Sequence, residues 1–148
     1  MPVSPISNPL AEHDQRILEK LEFHTGRHIP ELFAVPEDGS APLCQYSTTR
    51  WESNVPRINT LYLRGQKLAQ IPSEIAELPG LTLLDLGNNP MISIPAEVWN
   101  LTNLRDLYLG GSHLGSLPPE LGRLTNLEYL YLNGNSLSRL PPAIAYLV

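Results

Sequence analysis

Apolar residues return at fixed intervals through the second part of the chain, from Ile58 onward. Counted from Ile58, a unit of 23 residues has an aliphatic residue or methionine at positions 1, 4, 6, 11, 14, 18 and 21, and the next three units repeat this pattern without a gap. Position 1 is occupied in turn by Ile58, Leu81, Leu104 and Leu127. Because no insertion shifts the spacing, the pattern indicates a tandem repeat whose units share one continuous core.

Each unit divides into a predicted strand and a predicted helical turn. Positions 4 and 6 are always leucine and alternate with positions 3, 5 and 7, which is the two-residue period of a strand. The second half begins at a proline in every unit, and Glu74, Glu97 and Glu120 follow two residues later in the first three. Proline suits the first turn of a helix, where a carboxylate stabilises the positive end of the helix dipole. We therefore predict a short parallel strand and a helical or 3₁₀ turn in each unit.

The repeated phrase reads LTLLDLGNNPM from Leu81, LRDLYLGGSHL from Leu104 and LEYLYLNGNSL from Leu127. It resembles the L-x-x-L-x-L-x-x-N-x-L motif of the leucine-rich repeat family, with the 23-residue period of intracellular plant and bacterial members. The resemblance implies an α/β solenoid, with a short parallel β-sheet on the concave face, helical or 3₁₀ turns on the convex face and a helical cap at the N-terminus. The predicted repeats are 58–80, 81–103, 104–126 and 127–148.

The same resemblance assigns a role to position 9, where the family places a side chain that turns inward and satisfies the backbone of the bend. Asn89 and Asn135 match the family residue, whereas Gln66 and Ser112 do not. We therefore expect the bends at Gln66 and Ser112 to be less completely hydrogen-bonded.

Residues 1–57 lack the repeat and are predicted to form a disordered tail, a helical cap and a loop. Residues 1–9 contain three prolines and little to bury, so we expect disorder there. Leu10, Ile17, Leu18 and Leu21 are spaced as on one face of a helix, which predicts an amphipathic helix from about Pro9 to Phe23 capped by Asn8.

This helix and a following loop that bears Trp51 would cover the apolar edge of the first repeat. The segment resembles the N-terminal caps of plant-type repeats and of bacterial proteins that share them, without the paired cysteines of the plant version. The polar tract from Pro36 to Ser53, which carries proline and glycine, is predicted to be a loop.

Charge and cysteine content narrow the range of partners and locations. Fifteen acidic and ten basic residues give a net charge of −5, without a cluster of lysine or arginine, which disfavours nucleic acid and anionic membranes as partners. The sequence has no run of eighteen apolar residues and no signal-peptide pattern at its start. Cys44 is the lone cysteine and cannot form an intrachain disulfide, which favours a reducing compartment such as the cytoplasm.

The sequence predicts neither catalysis nor a cofactor. His24 and His28 have the spacing of two metal ligands on one helix face, but Gly26 between them breaks a helix, so a metal site is not expected. Cys44 lacks the local signature of a catalytic thiol, and its structural role is that of an inert side chain. The three glutamates after the repeat prolines are explained by the helix dipole. We therefore predict a protein that is not an enzyme.

Outward strand positions are the predicted binding surface. Equivalent residues on neighbouring strands lie about 4.8 Å apart, so positions 3, 5 and 7 form rows across the concave sheet. Four of the chain's six tyrosines fall on these rows, and tyrosine and arginine are the residue types that most often carry binding energy at protein interfaces. Strand propensity alone would also favour tyrosine there. The predicted protein-binding residues are Tyr62, Arg64, Asp85, Asp106, Tyr108, Tyr129 and Tyr131, while Arg105 and Glu128 are expected to pair with each other.

The sequence therefore predicts a module that binds a protein or peptide on its concave face, in a bacterial effector or a signalling protein. An effector would act in the cytosol of a host cell. The alternative is the substrate-targeting portion of a larger enzyme, a ubiquitin ligase or kinase whose catalytic domain lies beyond Val148. The ligase effectors of bacteria that share this family use shorter repeats, near 20 residues, which weakens this alternative.

The last repeat raises a separate expectation. No polar capping segment follows Leu147, although repeat stacks need a terminal unit with a polar outer face. We therefore expect either that the chain continues in a longer protein or that two copies form a homodimer through the edge of the C-terminal repeat.

Overall fold

A computed structural model describes residues 12–29 and 57–147, together with the backbone of residues 45–49. The predicted disorder of residues 1–9, the helix start at Asn8 and Pro9, and the positions of Cys44 and Trp51 lie outside these ranges.

One five-stranded sheet organises the described residues. The elements are helix α1 (Glu12–Thr25) and strands β1 (Gln45–Thr49), β2 (Arg57–Tyr62), β3 (Leu83–Asp85), β4 (Asp106–Tyr108) and β5 (Tyr129–Tyr131). Strands β2 to β5 follow one another in chain order and run parallel, so that Leu61 pairs with Leu84, Leu84 with Leu107 and Leu107 with Leu130. Each pairing advances by one 23-residue repeat, as the sequence predicts.

The prediction of a loop from Pro36 to Ser53 is wrong at its centre, because β1 lies within that tract. Strand β1 pairs antiparallel with β2, where Tyr46 is opposite Leu61. The outer edge of a sheet presents unpaired backbone N–H and C=O groups, and any extended segment can satisfy them whatever its side chains. A polar segment therefore forms a strand here without an apolar pattern to reveal it.

The second half of each repeat forms a 3₁₀ turn, which confirms the prediction for the convex side. In the first turn the N–H of Ile75 donates to the carbonyl of Pro72 at 3.2 Å, and the N–H of Leu78 donates to the carbonyl of Ile75. The same pattern of hydrogen bonds recurs in the other three repeats. The turns span Ser73–Glu77, Ala96–Asn100, Pro119–Arg123 and Pro142–Tyr146.

The apolar positions fill a core that runs through the first three repeats. Every predicted core residue of these repeats is buried except Ile94, which is half-buried. The fourth repeat differs, since only Leu127 of its seven core positions is buried and Leu140 is exposed. The core positions of a repeat are therefore buried where other elements pack on both of its sides.

Asparagines at position 9 connect successive repeats, as the family resemblance implies. The amide nitrogen of Asn89 donates to the carbonyls of Leu63 and Leu86 at 2.8 Å each, and its oxygen accepts from the N–H of Leu68. Asn135 makes the equivalent bonds two repeats further along the chain. The Ser112 hydroxyl is buried and has no hydrogen-bond partner among the described residues, so it makes none of the bonds that Asn89 and Asn135 make.

Helix α1 covers the first repeat, as predicted, and extends two residues past the predicted end at Phe23. It buries Ile17, Leu18 and Leu21 in the common core. The buried carboxylate of Asp14 accepts from the backbone N–H of Ile58 at 2.8 Å. Asp14 Oδ1 also lies 2.8 Å from Nη2 of Arg57, so this carboxylate joins the helix to the start of β2.

Candidate protein-binding surface

The predicted binding residues come together on the concave side of β2 to β5. Register pairing places Asp85 between Tyr62 and Tyr108, and it places Asp106 beside Tyr129. Arg64 follows two residues after the end of β2. We name this set the concave tyrosine face, and it consists of Tyr62, Arg64, Asp85, Asp106, Tyr108, Tyr129 and Tyr131.

Two of the tyrosines form a stacked pair. The rings of Tyr108 and Tyr131 lie nearly parallel, 8° apart, with their centroids separated by 4.5 Å. Tyr129 and Tyr131 are 54% and 44% exposed, although both are large and partly apolar. The stack restricts two aromatic side chains before any partner arrives, which lowers the entropy lost when they are immobilised at an interface.

Asp85 is far less accessible than its outward strand position predicts. Only 8% of the residue is exposed, and Oδ1 accepts from the backbone N–H of Gly87 at 2.9 Å. The same oxygen lies 3.6 Å from Nη1 of Arg64, so the two side chains form an ion pair across neighbouring strands. A Cβ at Gly87 would fall 2.7 Å from that nitrogen, and the glycine therefore leaves the space that Arg64 fills.

A second ion pair borders the concave tyrosine face. Nη1 of Arg105 donates to Oε1 of Glu128 at 2.9 Å, which confirms the predicted pairing. Both side chains are more than half exposed, so the pair contributes little to stability. The positive charge of Arg105 is therefore already balanced by Glu128.

Burial and nearby carboxylates together raise the pKa values of three groups on this surface. Burial raises the pKa of Tyr62 above its usual value, and the charges of Asp85 and Asp106 raise it further. Burial likewise raises the pKa of Tyr108, with Asp106 as the next cause. The pKa of Asp106 is itself raised, first by burial and then by the charge of Glu128, against the opposing effect of Arg105. The two tyrosine hydroxyls therefore lie in a negative potential.

The described residues hold neither a cluster of metal ligands nor a membrane-spanning helix. Within residues 12–29 and 57–147, no three side chains of histidine, cysteine, aspartate or glutamate gather as metal ligands would. Helix α1 is the one α-helix of the described part, and it is neither long nor apolar enough to cross a membrane.

Comparison with known proteins gives matches to one family. A sequence profile described as "Leucine rich repeat" matches residues 56–114, and one described as "Leucine Rich repeats (2 copies)" matches residues 102–143. Together they span residues 56–143, more than half of the chain. A comparison with curated proteins gives no match.

Solved structures with the same fold come from bacteria and plants. A leucine-rich repeat protein of Leptospira interrogans is 40% identical over 55% of this chain, with a TM-score of 0.53. The BIR2 ectodomain of Arabidopsis thaliana is 30% identical over 68% of this chain, with a TM-score of 0.56. The ectodomain of the Arabidopsis receptor kinase SOBIR1 is 20% identical over 93% of this chain and shares the fold, with a TM-score of 0.68.

This chain spans only part of each of these structures, namely 21% of the Leptospira protein, 55% of BIR2 and 75% of SOBIR1. The repeat register, the asparagine bonds between repeats and the two profile matches agree with one another. The chain therefore belongs to the leucine-rich repeat family.

Proposed function

We propose that this protein is a non-catalytic module that binds a protein or peptide on its concave tyrosine face. The observation that carries the proposal is the stack of the half-buried Tyr108 and the exposed Tyr131 beside the exposed ring of Tyr129. All three lie on β4 and β5, so the sheet fixes their spacing.

Aromatic side chains in this arrangement fit an interface better than they fit a free surface. Tyrosine offers a wide apolar ring and a polar hydroxyl at the cost of few rotatable bonds, and it is enriched among the residues that dominate binding energy. Exposed apolar clusters on soluble proteins usually mark contact sites. The ion pair of Arg105 and Glu128 borders the cluster, and a polar rim is the usual arrangement of an interface.

Relatives support a binding role without identifying the partner. BIR2 and SOBIR1 are ectodomains, so this architecture occurs in proteins that face the outside of a cell. A cytoplasmic location and an effector role for this chain stay predictions from the sequence. The targeting portion of a larger ligase or kinase also stays a prediction.

Selection from a random peptide library displayed on phage tests the proposal. The double variant Tyr108→Ala, Tyr131→Ala should lose affinity for peptides selected on the wild-type chain, because each interface tyrosine contributes on the order of 2 kcal/mol. The affinities are measured by isothermal titration calorimetry on the purified chains.

Tyr146→Ala is the matched control, because Tyr146 is also an exposed tyrosine (74%) but lies on the 3₁₀ turn of the fourth repeat, on the convex side. It should bind the selected peptides as the wild type does. Equal binding by the double variant, with circular dichroism unchanged, would show that the concave tyrosine face is not the binding site.

A further inference from the structure

The centre of the concave tyrosine face has one more negative charge than its own cations match. Arg64 pairs with Asp85, and Arg105 pairs with Glu128. The carboxylate of Asp106 lies between these pairs and has neither a hydrogen bond nor an ion pair among the described residues. It is also partly buried, so water compensates its charge incompletely.

A gap in the row of tyrosines lies next to this carboxylate. Strands β2, β3 and β4 present Tyr62, Asp85 and Tyr108 in register, and the aspartate is much shorter than the ring on either side. Neighbouring strands are about 4.8 Å apart, which puts β2 and β4 roughly 9.6 Å apart. We name the region over Asp85, between the two tyrosines, the acidic slot. The Arg64 guanidinium covers Asp85 there, and the partly exposed carboxylate at its side is that of Asp106.

Aromatic rings and carboxylates border the acidic slot, and both attract cations. Tyr62 and Tyr108 flank Asp85 in register, and an aromatic face attracts a cation that lies within roughly 6 Å of it. The charges that face this space are Asp85, Asp106 and Arg64, and both tyrosine hydroxyls feel the two carboxylates. A cation in the slot would therefore meet two rings and an unmatched carboxylate together.

We propose that the acidic slot binds a lysine or arginine side chain from a basic segment of the partner protein. This rests on the proposed function, since it names the chemistry of the partner that the concave tyrosine face would take. The stacked rings of Tyr108 and Tyr131 would hold apolar parts of the same segment, while Asp106 selects for the positive charge.

Arg64 and Asp106 should have opposite effects on the affinity for a basic partner. Its guanidinium lies 3.6 Å from Asp85, which is a weaker contact than a hydrogen-bonded ion pair, and its side chain is 42% exposed. A basic partner is attracted by Asp106 and repelled by Arg64. Removing the two charges should therefore change the affinity in opposite directions, whereas a general loss of structure would weaken binding in both variants.

The test uses peptides selected on the intact chain from a random library and measures their affinity by calorimetry. We expect enrichment of lysine or arginine at one position of the selected peptides. Asp106→Asn should weaken binding about tenfold, as for the loss of one charge-assisted contact, and Arg64→Gln should strengthen it. Replacing the enriched basic residue of the peptide by norleucine should weaken binding to the wild type but change binding to Asp106→Asn much less.

Glu97→Gln is the matched control, because it removes one negative charge from an exposed residue of a convex 3₁₀ turn. It should leave the affinity unchanged, which separates the slot from the net charge of the whole chain. Selected peptides that depend on Tyr108 and Tyr131 but lack a basic residue, or that bind Asp106→Asn as tightly as the wild type, would overturn the acidic slot and leave the binding face in place. A selection without any binder that depends on these tyrosines would overturn both.

Discussion

The two ends of the repeat stack are built from the same motif but are covered to different extents. At the first repeat, helix α1 buries three aliphatic residues against the core, and β1 pairs with the outer edge of β2. At the fourth repeat, β5 has no strand on its outer side within the described residues. A cavity of about 280 Å³ opens there between leucine and isoleucine side chains of that repeat, Leu127, Leu130, Leu132, Leu140, Ile144 and Leu147, together with Glu128.

A single repeat position shows what the difference means. Leu117 and Leu140 are both at position 14, yet Leu117 is 6% exposed and Leu140 is 49% exposed. The residue type is the same, and in both repeats the leucine directly precedes the proline at the start of the 3₁₀ turn. What differs is the following repeat, which Leu117 has and Leu140 lacks within the described residues. Burial in this fold is therefore a property of the neighbouring unit, as expected where each repeat contacts only the units beside it.

The largest expected effect is at the middle of the stack. Leu107→Ala should destabilise the protein by about 2–5 kcal/mol, because Leu107 is fully buried between two repeats and its removal leaves a cavity. Leu130→Ala removes the equivalent leucine from the half-buried edge and should destabilise it much less. Chemical denaturation would measure how much each variant loses in free energy of unfolding. Equal losses would mean that the fourth repeat is packed as tightly in solution as the middle of the stack.

An intermediate effect is expected at the covered end. Asp14→Ala leaves the N–H of Ile58 without its acceptor and removes the ion-pair partner of Arg57, which should destabilise the protein by about 1–3 kcal/mol. Glu12→Ala is the control, since Glu12 is an exposed carboxylate in the first turn of the same helix. Thermal melts would show whether Asp14→Ala lowers the melting temperature more than Glu12→Ala does. If both melt alike, Asp14 does not hold α1 to the repeats.

The smallest effect on stability is expected at the open end. Leu140→Lys places a charge where water already reaches the side chain, so the melting temperature should hardly change. Leu117→Lys would bury the charge at the equivalent position and should lower the melting temperature strongly.

Light scattering on the Leu140→Lys variant also tests the predicted homodimer. If two copies pair through the C-terminal repeat, the wild type should show a larger mass than the variant. A monomeric wild type at micromolar concentration would contradict the pairing.

Much of the fold could be predicted from the sequence because the repeat imposes it. The 23-residue spacing predicted the pairing of Leu84 with Leu107, and the repeat prolines predicted the convex turns. Strand β1 was missed because it is held by backbone hydrogen bonds to β2, which need no apolar pattern. The available signal was the composition of Gln45–Thr49, since tyrosine and threonine are common in strands.

The concave tyrosine face was predicted in outline but not in its internal contacts. Alternation along the strands places Tyr108 and Tyr131 as neighbours, and a stacked pair follows from that placement. The covering of Asp85 could not be predicted, since it depends on the Arg64 guanidinium reaching across Gly87. Such contacts are set by rotamers and by the space that a missing side chain leaves, and a one-dimensional pattern records neither.

The antiparallel strand β1 closes one end of the repeat stack to further parallel repeats. A further unit added beyond β1 would meet a strand of opposite direction, so it could not continue the parallel register of β2 to β5. A unit inserted after β5, by contrast, would find the same spacing that joins β4 to β5. Gain or loss of whole 23-residue units could therefore lengthen or shorten the concave sheet in one direction alone, while the end that helix α1 covers stayed constant.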